Sequence, residues 1–312
     1  MGIFSKKIGT LHKAQRMLLG IAMGDAFGRA YEGKDRKEIS KTVNWEEYSS
    51  KPKYTDDTQM TLAVAELLVS DYPFNEETLA SNFVYAYRRD KRGGYSSRTK
   101  EKLEKAYCGK DFLNEAKDNP KPTSNGSAMR VMPLGILKDR NKLIEYAIMN
   151  SEITHNHPES IKSSVGVALI GHYFYHNKGP AKNLIKYVIS NTKDISPESN
   201  SYLESIDQLK KIDYNVLFKN KHEYGLPCDG LKTLGVVLFI LKNYYDQPFE
   251  ALKQSILIGG DVDSSAELVL GAELINHELN LLPDFLFKGL ENKKFGRDYI
   301  IKLGKLLGEK YS

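Results

Sequence analysis

The chain has 312 residues, of which 41% are hydrophobic and 27% are charged, a composition typical of a globular protein that buries a large core. This length suits one large domain or two ordinary ones. The formal net charge of +5 is small for the length and no dense Lys/Arg block is present, so there is no strong nucleic-acid signal, although an anionic small ligand would suit this charge.

Hydrophobic residues recur at helical spacing along most of the chain. Intervals of three and four residues predict amphipathic helices, whereas the alternating pattern of β-strands is nearly absent. We therefore predict an all-α fold. The segments that carry the helical pattern are 11–28, 60–72, 75–90, 140–154, 157–177, 229–245, 248–260 and 264–280.

The chain shows no repeat of fixed period and no linker that would divide it. We expect residues 11–312 to form a compact single-domain orthogonal helical bundle, preceded by a flexible N-terminus at residues 1–10. The most polar stretch, 191–225, is expected to hold surface loops and short helices. Because no apolar stripe demands a partner, we expect a monomer.

The two cysteines indicate a reducing compartment. Cys108 and Cys228 form no CxxC pair and no cluster with histidine, which argues against a disulfide framework and against a zinc site. No apolar run approaches the roughly 18 residues that a membrane span requires. We therefore expect a cytoplasmic protein with no membrane partner.

Four oxygen-bearing side chains, Thr55, Asp56, Asp57 and Thr58, stand directly before an apolar helical segment; we call residues 55–58 the first acidic elbow. A helix start needs one capping oxygen and benefits from one acid in its first turn. Two adjacent carboxylates repel each other. This pattern indicates either an acidic helix cap or a site for a cation.

A second acidic elbow, residues 259–265, repeats this pattern near the other end of the chain. Gly259 and Gly260 allow positive φ, and Asp261, Asp263 and Ser264 follow at the start of another apolar helix. If the two elbows meet, four carboxylates need cations, and oxygen-only ligands favour Mg²⁺ first, then Mn²⁺ or Ca²⁺. Either elbow alone is most simply a helix cap, whereas both together favour a metal site at helix N-termini.

Three other segments are weaker signals when each is taken alone. Glu32, after the first helix, would by itself be a surface acid. The polar turn at 124–129 contains Gly126, and its backbone amides are suited to hold a phosphate at a helix start. The histidines in segment 153–160 are most simply capping or stacking residues, since no HxxxH or HExxH spacing is present.

Taken together and in this order, the segments GDAFGRAYE, YTDDTQM, SNGSAMR, THNHP and GGDVDSSAELVLGA resemble the ADP-ribosylglycohydrolase family, which is all-α and magnesium-dependent and includes the dinitrogenase-reductase-activating glycohydrolase. The resemblance extends over residues 24–272. It implies two Mg²⁺ ions, with Mn²⁺ as the alternative, held by Thr55, Asp56, Asp57, Asp261, Asp263 and Ser264. It also implies catalysis by Glu32 with Asp56 and Asp57, and substrate binding by Gly126, Ser127, Ala128, Met129 and His155.

The implied reaction is hydrolysis of the bond between ribose C1″ and a side chain of an ADP-ribosylated protein or conjugate, with release of ADP-ribose. Arginine is the default linkage. A non-catalytic ADP-ribose binder, a structural relative and a phosphoesterase remain alternatives. Ser264 stands where the family usually has threonine, and serine keeps the hydroxyl ligand. Segment 87–99 resembles a substrate-side loop of some bacterial members, or is simply a solvated loop.

Overall fold

The computed structural model describes residues 10–49, 51–116, 122–218 and 225–312. The predicted flexible segment 1–10 lies outside these ranges except for Thr10, which is exposed. The predicted division of the chain into that segment and one domain therefore stays a prediction.

The fold is all-α, as predicted. Short 3₁₀-helices and two isolated β-bridges complete the regular structure in the described ranges, which contain no β-strand. The helices are α1 (Lys13–Gly28), α2 (Arg36–Thr42), α3 (Asp56–Val69), α4 (Glu76–Arg89), α5 (Ser97–Lys105), α6 (Gly109–Ala116), α7 (Arg140–Glu152), α8 (Pro158–Tyr175), α9 (Leu184–Thr192), α10 (Asn200–Gln208), α11 (Tyr214–Phe218), α12 (Gly230–Tyr244), α13 (Pro248–Leu257), α14 (Val262–Asn276), α15 (Asp284–Gly289) and α16 (Arg297–Lys310).

All eight predicted helices are present, as α1, α3, α4, α7, α8, α12, α13 and α14. Among the helix starts the largest change is at α3, which begins at Asp56 rather than at residue 60, because Thr55 caps it and the acidic residues form its first turn. The polar stretch 191–225 contains the short helices α10 and α11, as predicted; its residues 219–224 lie outside the described ranges.

Two helices form the centre of the molecule. Every residue of α1 from Ala14 to Gly28 is buried, and so is every residue of α14 from Val262 to Ile275. Their backbones touch where α1 ends: a Cβ added to Gly28 would lie 2.5 Å from the Asp263 Cα. The last turn of α1 therefore lies directly against the second acidic elbow.

The opposite ends of these two helices are joined by one buried arginine. Arg16, in the first turn of α1, donates from Nε to the Leu274 carbonyl oxygen (3.0 Å) and from Nη2 to the Ile275 carbonyl oxygen (2.9 Å) at the end of α14. The pair is thus antiparallel and fixed at both ends. In the ranges that the structure describes, no helix is both long enough and apolar enough to cross a membrane.

Candidate metal centre and active site

The first acidic elbow is held by a buried carboxylate on α1. Both Asp25 oxygens accept hydrogen bonds from the Thr55 N–H (3.0 and 2.9 Å), and Asp25 Oδ2 also accepts from the N–H (3.1 Å) and the hydroxyl (2.6 Å) of Thr58. The Thr55 hydroxyl accepts from the Asp57 N–H (3.3 Å). These bonds satisfy backbone donors that a helix start leaves unpaired. Asp56 and Asp57 are therefore free to face a cavity.

The second acidic elbow is clamped between two other chain segments. Gly259 and Gly260 both have positive φ, 74° and 77°, as their sequence predicts. The Gly260 N–H donates to the Lys34 carbonyl oxygen (2.9 Å), and the Gly260 carbonyl oxygen accepts from the Gly33 N–H (2.8 Å). On its other side the Leu226 N–H donates to the Gly259 carbonyl oxygen (2.8 Å). The turn that carries Glu32 is therefore tied to this elbow.

The two elbows meet, although they are 207 residues apart: Ser264 Oγ donates to Asp57 Oδ2 (2.6 Å). One cavity of about 110 Å³, the central cavity, has both elbows in its wall. In the described ranges, no three His, Cys, Asp or Glu side chains are already arranged to hold a metal ion. Six of the predicted catalytic and metal-binding residues line the cavity, namely Glu32, Asp56, Asp57, Asp261, Asp263 and Ser264. Thr55, the cap of α3, is buried next to Asp56 and is not part of the lining.

Crowding of buried acids changes their protonation. Burial raises the pKa values of Asp56, Asp57 and Asp263 well above their usual range, and neighbouring carboxylates raise them further. Glu32 is exposed at the mouth of the central cavity, but desolvation by the surrounding protein and then the charge of Asp261 raise its pKa. Such a cluster is unfavourable in ionised form unless positive charge accompanies it.

Glu267, one turn beyond Asp263 on α14, adds to this demand for positive charge. It is fully buried, and in the described part of the chain neither of its carboxyl oxygens has a hydrogen-bond partner. Burial, followed by the charges of Asp57 and Asp25, raises its pKa well above the usual value. Every predicted metal ligand in the cavity is a carboxylate or hydroxyl oxygen. This ligand set fits hard divalent cations and does not fit zinc.

The predicted substrate residues divide between the cavity wall and the core. Gly126 and Met129 line the central cavity, and so does His155, against whose imidazole Gly126 lies. Ser127 and Ala128 are completely buried behind this loop. The fold therefore brings three of these five residues to the cavity, and the other two support the loop.

The imidazole of His155 is fixed by two hydroxyl groups. Its Nε2 is 2.9 Å from Ser124 Oγ, and its Nδ1 is 2.7 Å from Thr154 Oγ1. Burial lowers the pKa of His155 to about 3, and the charges of Arg130 and Lys102 contribute. His155 is therefore neutral near pH 7 and presents an uncharged ring to a ligand.

A second cavity, of about 290 Å³, adjoins the central one and shares Ser96, Thr99, Ser124 and His155 with it. We call it the adjoining cavity; it extends to the buried ring of Phe112. Two of the shared residues, Ser96 and Thr99, belong to the segment 87–99 that resembled a substrate-side loop. The end of that segment therefore lines the candidate site. From the sequence alone, a substrate-side loop and a solvated loop were both possible.

Asn125 contributes a contact that sequence reasoning missed. Its Nδ2 donates to Asp261 Oδ2 (2.7 Å), and its Oδ1 accepts from the Cys228 thiol (3.1 Å). Both Cys228 and Cys108 are free thiols, and burial followed by the charge of Asp261 raises the pKa of Cys228. Asn125 lies in the SNGSAMR segment, but nothing local to the sequence indicates that it meets an acid 136 residues away.

Comparison with known proteins decides the family. The model of the ADP-ribosylglycohydrolase family matches residues 7–308. The chain belongs to the ADP-ribosylglycohydrolase family. Its fold agrees: a solved structure titled "ADP-ribosylglycohydrolase-related protein complex" superposes with a TM-score of 0.74 at 20% identity, covering 96% of this chain and 98% of that one.

Two curated relatives illustrate the range of this family. The chain is 24% identical to "ADP-ribosylhydrolase ARH3" of Xenopus tropicalis, over 93% of this chain and 94% of that protein. It is 27% identical to "ADP-ribosylarginine hydrolase Tri1" of Pseudomonas putida (strain GB-1), over 48% of this chain and 43% of that protein. This ADP-ribosylglycohydrolase is accordingly a hydrolase with ADP-ribosyl hydrolase activity.

Proposed function

We propose that this ADP-ribosylglycohydrolase hydrolyses the ribose C1″ bond of ADP-ribosyl-arginine on protein in a Mg²⁺-dependent reaction and releases ADP-ribose. The observation that carries the proposal is the meeting of both acidic elbows and Glu32 at one cavity beside His155. Oxocarbenium-like transition states of glycoside hydrolysis are stabilised by nearby carboxylates. The arginine linkage is supported by the name of the Tri1 relative alone.

Two Mg²⁺ ions, or alternatively Mn²⁺, would be held by the acids of the two elbows with the hydroxyl groups of Thr55 and Ser264. Bound there, the ions would supply positive charge that orients the ribose hydroxyls and lowers the pKa of a bound water. The fit rests on the oxygen-only donor set and on the raised pKa values of its carboxyls. Ser264 Oγ, which donates to Asp57 Oδ2, already joins one ligand set to the other.

Glu32 is the proposed acid–base residue. It lies at the mouth of the central cavity, and desolvation raises its pKa above that of a free carboxyl group, which favours a role in both taking and returning a proton. As water attacks C1″ and the C1″–N bond breaks, Glu32 accepts the proton of the water and returns it to the leaving guanidine nitrogen. Asp56 and Asp57, in the same wall, stabilise the positive charge that develops on the ribose.

The 124–129 loop and His155 are proposed to bind the diphosphate and the adenosine side. The adjoining cavity offers the buried ring of Phe112 and the neutral imidazole of His155, both suited to an uncharged base. A ligand that extends from the central cavity into the adjoining one would place its ribose C1″ near the acids and its adenine away from them. This order agrees with cleavage at C1″.

The test is the release of ADP-ribose from an arginine-ADP-ribosylated protein, followed by mass spectrometry with Mg²⁺ and with EDTA. Release should require the metal. It should fall by about 10²- to 10⁴-fold in Glu32→Gln and at least as far in Asp261→Asn. Glu38→Gln, on the exposed helix α2, is the matched control and should keep full activity.

Three results would contradict all or part of the proposal. Release that persists in EDTA would exclude the metal requirement. Release from a serine-linked substrate without release from the arginine-linked one would change the linkage and keep the reaction. No release from either substrate, with ADP-ribose still bound, would instead identify a non-catalytic ADP-ribose-binding protein.

A further inference from the structure

A third cavity, of about 350 Å³, lies beside the central cavity and is strongly basic; we call it the basic cavity. Five cationic side chains in its wall have no carboxylate oxygen within 4.0 Å in the described part of the chain. Their charge is therefore available to a ligand. These five are Arg29, Lys53, Lys91, Lys293 and Lys294.

The wall of the basic cavity is built around a sixth cation. The largely buried Arg92 guanidinium binds both carboxylates of the lining, Asp90 (2.5 Å from Nη2 to Oδ2) and Glu291, and lies 3.9 Å from the centre of the Tyr54 ring. A further lining cation, Arg89, is paired with Glu66. Arg92 offsets one of the two carboxylate charges in the lining, so the five other cations leave the cavity with a clear excess of positive charge.

The basic cavity and the central cavity share a stretch of backbone. Lys53 and Tyr54 directly precede the first acidic elbow, and the Asp56 N–H donates to the carbonyl oxygen of Gly93, which also lines the basic cavity (3.0 Å). The adjoining cavity meets the central one through four other residues, namely Ser96, Thr99, Ser124 and His155. The proposed nucleotide side and the basic cavity therefore border different parts of the catalytic wall.

We propose that the basic cavity docks an acidic segment of the protein that carries the ADP-ribose, next to the modified side chain. This inference rests on the proposed function, because it assigns the basic cavity to the leaving-group side of the bond. Charge complementarity carries it: five cations without a carboxylate partner in the described ranges line one cavity, and the wall of that cavity is hydrogen-bonded to the first acidic elbow.

A protein segment suits this cavity better than a nucleic acid. A polynucleotide is bound along a track of successive phosphates, which gives a stripe of Lys and Arg. Here the free cations converge on one cavity, and the chain as a whole carries a net charge of only +5. A few Asp or Glu side chains of a carrier protein fit such a space.

The test compares two double variants of equal charge change. Lys293→Glu/Lys294→Glu alters the basic cavity, and Lys186→Glu/Lys302→Glu alters exposed lysines on α9 and α16. Binding is measured by fluorescence anisotropy with a labelled acidic peptide containing one arginine. We expect roughly tenfold weaker binding in the first variant, with unchanged binding in the second and a smaller difference at high salt.

Kinetics with the full-length enzyme then localise the effect. For the ADP-ribosylated form of the same peptide, Lys293→Glu/Lys294→Glu should raise KM by roughly tenfold with kcat unchanged, since docking precedes the chemical step. For free ADP-ribosyl-arginine, both parameters should equal those of the wild type. A peptide with glutamine in place of its acids should show no difference between the two double variants.

Three outcomes would overturn the inference: equal losses in both double variants, an equal loss with free ADP-ribosyl-arginine, or tighter binding of a short RNA that is lost in Lys293→Glu/Lys294→Glu. The second outcome would assign the cavity to ADP-ribose itself, and the third to nucleic acid. If the wild type releases no ADP-ribose from any substrate, the proposed function fails, while the anisotropy measurement still decides whether the acidic peptide docks in this cavity.

Discussion

At the scale of single residues, Asp25 organises the first acidic elbow. It is fully buried on α1, and three donors from Thr55 and Thr58 point at its carboxylate. Burial raises the pKa of Asp25, and these hydrogen bonds oppose that rise because they stabilise the carboxylate form. A hydrogen bond to a carboxylate contributes about 1.5–3 kcal/mol. Asp25 thus acts as a helix cap supplied from another helix, which leaves Asp56 and Asp57 available to the cavity.

We predict that Asp25→Ala lowers the free energy of unfolding by roughly 2–4 kcal/mol, because buried donors lose their acceptor. It should also weaken Mg²⁺ binding, because the start of α3 is then free to shift. Urea unfolding and calorimetric titration with Mg²⁺ measure the two effects.

The matched control for this prediction is Asp35→Ala, at the exposed start of α2, where Asp35 accepts one hydrogen bond from the Lys37 N–H (2.5 Å). Loss of such a cap costs about 1 kcal/mol. Mg²⁺ affinity should be unchanged in this control. An Asp25→Ala protein that binds Mg²⁺ as tightly as the wild type would show that Asp25 does not position the elbow.

At the scale of elements, the contact of α1 with α14 aligns the turn bearing Glu32 with the second acidic elbow. Gly28 allows the two backbones to touch, because it places no Cβ against Asp263. The β-bridge from Lys34 to Gly260 then continues the contact beyond the helix end. A site composed of three chain segments therefore depends on the spacing of two helices.

We predict that Gly28→Ala destabilises the protein by about 1–3 kcal/mol, because overpacking forces the two helices apart. It should also reduce Mg²⁺ affinity, since Asp263 lies at the point of contact. Gly93→Ala is the control, because its Cβ would meet only the flexible end of Arg29, at 3.3 Å. Equal destabilisation by the two substitutions in urea unfolding would argue against this role for the helix contact.

At the scale of the whole molecule, one interior region concentrates carboxyl groups at a cost to stability. Burial raises the folded-state pKa values of Asp56, Asp57, Asp263 and Glu267 above those of the unfolded chain, which are near 4. Such a carboxyl group favours the folded state most below its unfolded-state pKa, where it is protonated in both states. This contribution to the free energy of unfolding is lost as pH rises towards the folded-state pKa, because the unfolded chain ionises first. Functional sites commonly sacrifice stability in this way.

We predict that Asp263→Asn, measured in EDTA at pH 8, raises the melting temperature by about 1–3 °C, because one buried like charge is removed. The gain should shrink towards pH 4, where the wild-type carboxyl is protonated as well. Added Mg²⁺ should stabilise the wild type by mass action and the variant much less. Differential scanning calorimetry at both pH values measures this.

Asp194→Asn, at an exposed position, serves as the control and should show neither effect. A melting temperature of Asp263→Asn that is below that of the wild type in EDTA, at both pH values, would mean that this carboxylate stabilises the metal-free fold.

The sequence carried much of the site because the relevant signals are local. Paired acids at a helix start, as at Asp56 and Asp57, and paired glycines before Asp261 are readable within a few residues. Asp25, Asn125 and Glu267 were missed for the opposite reason. Their roles depend on partners on other elements, and an isolated acid or amide in a helix or turn carries no sign of such a partner.

By itself, the sequence determined the all-α class, the order of the main helices and the residue types of the two elbows, because helical periodicity and capping are local properties. Only the tertiary structure decided which residues face one cavity. It joined Ser264 to Asp57, placed Ser127 and Ala128 behind the loop, and gathered the basic cavity from four separate segments. The physical reason is that burial and long-range contact are set by how helices pack, which no single segment records.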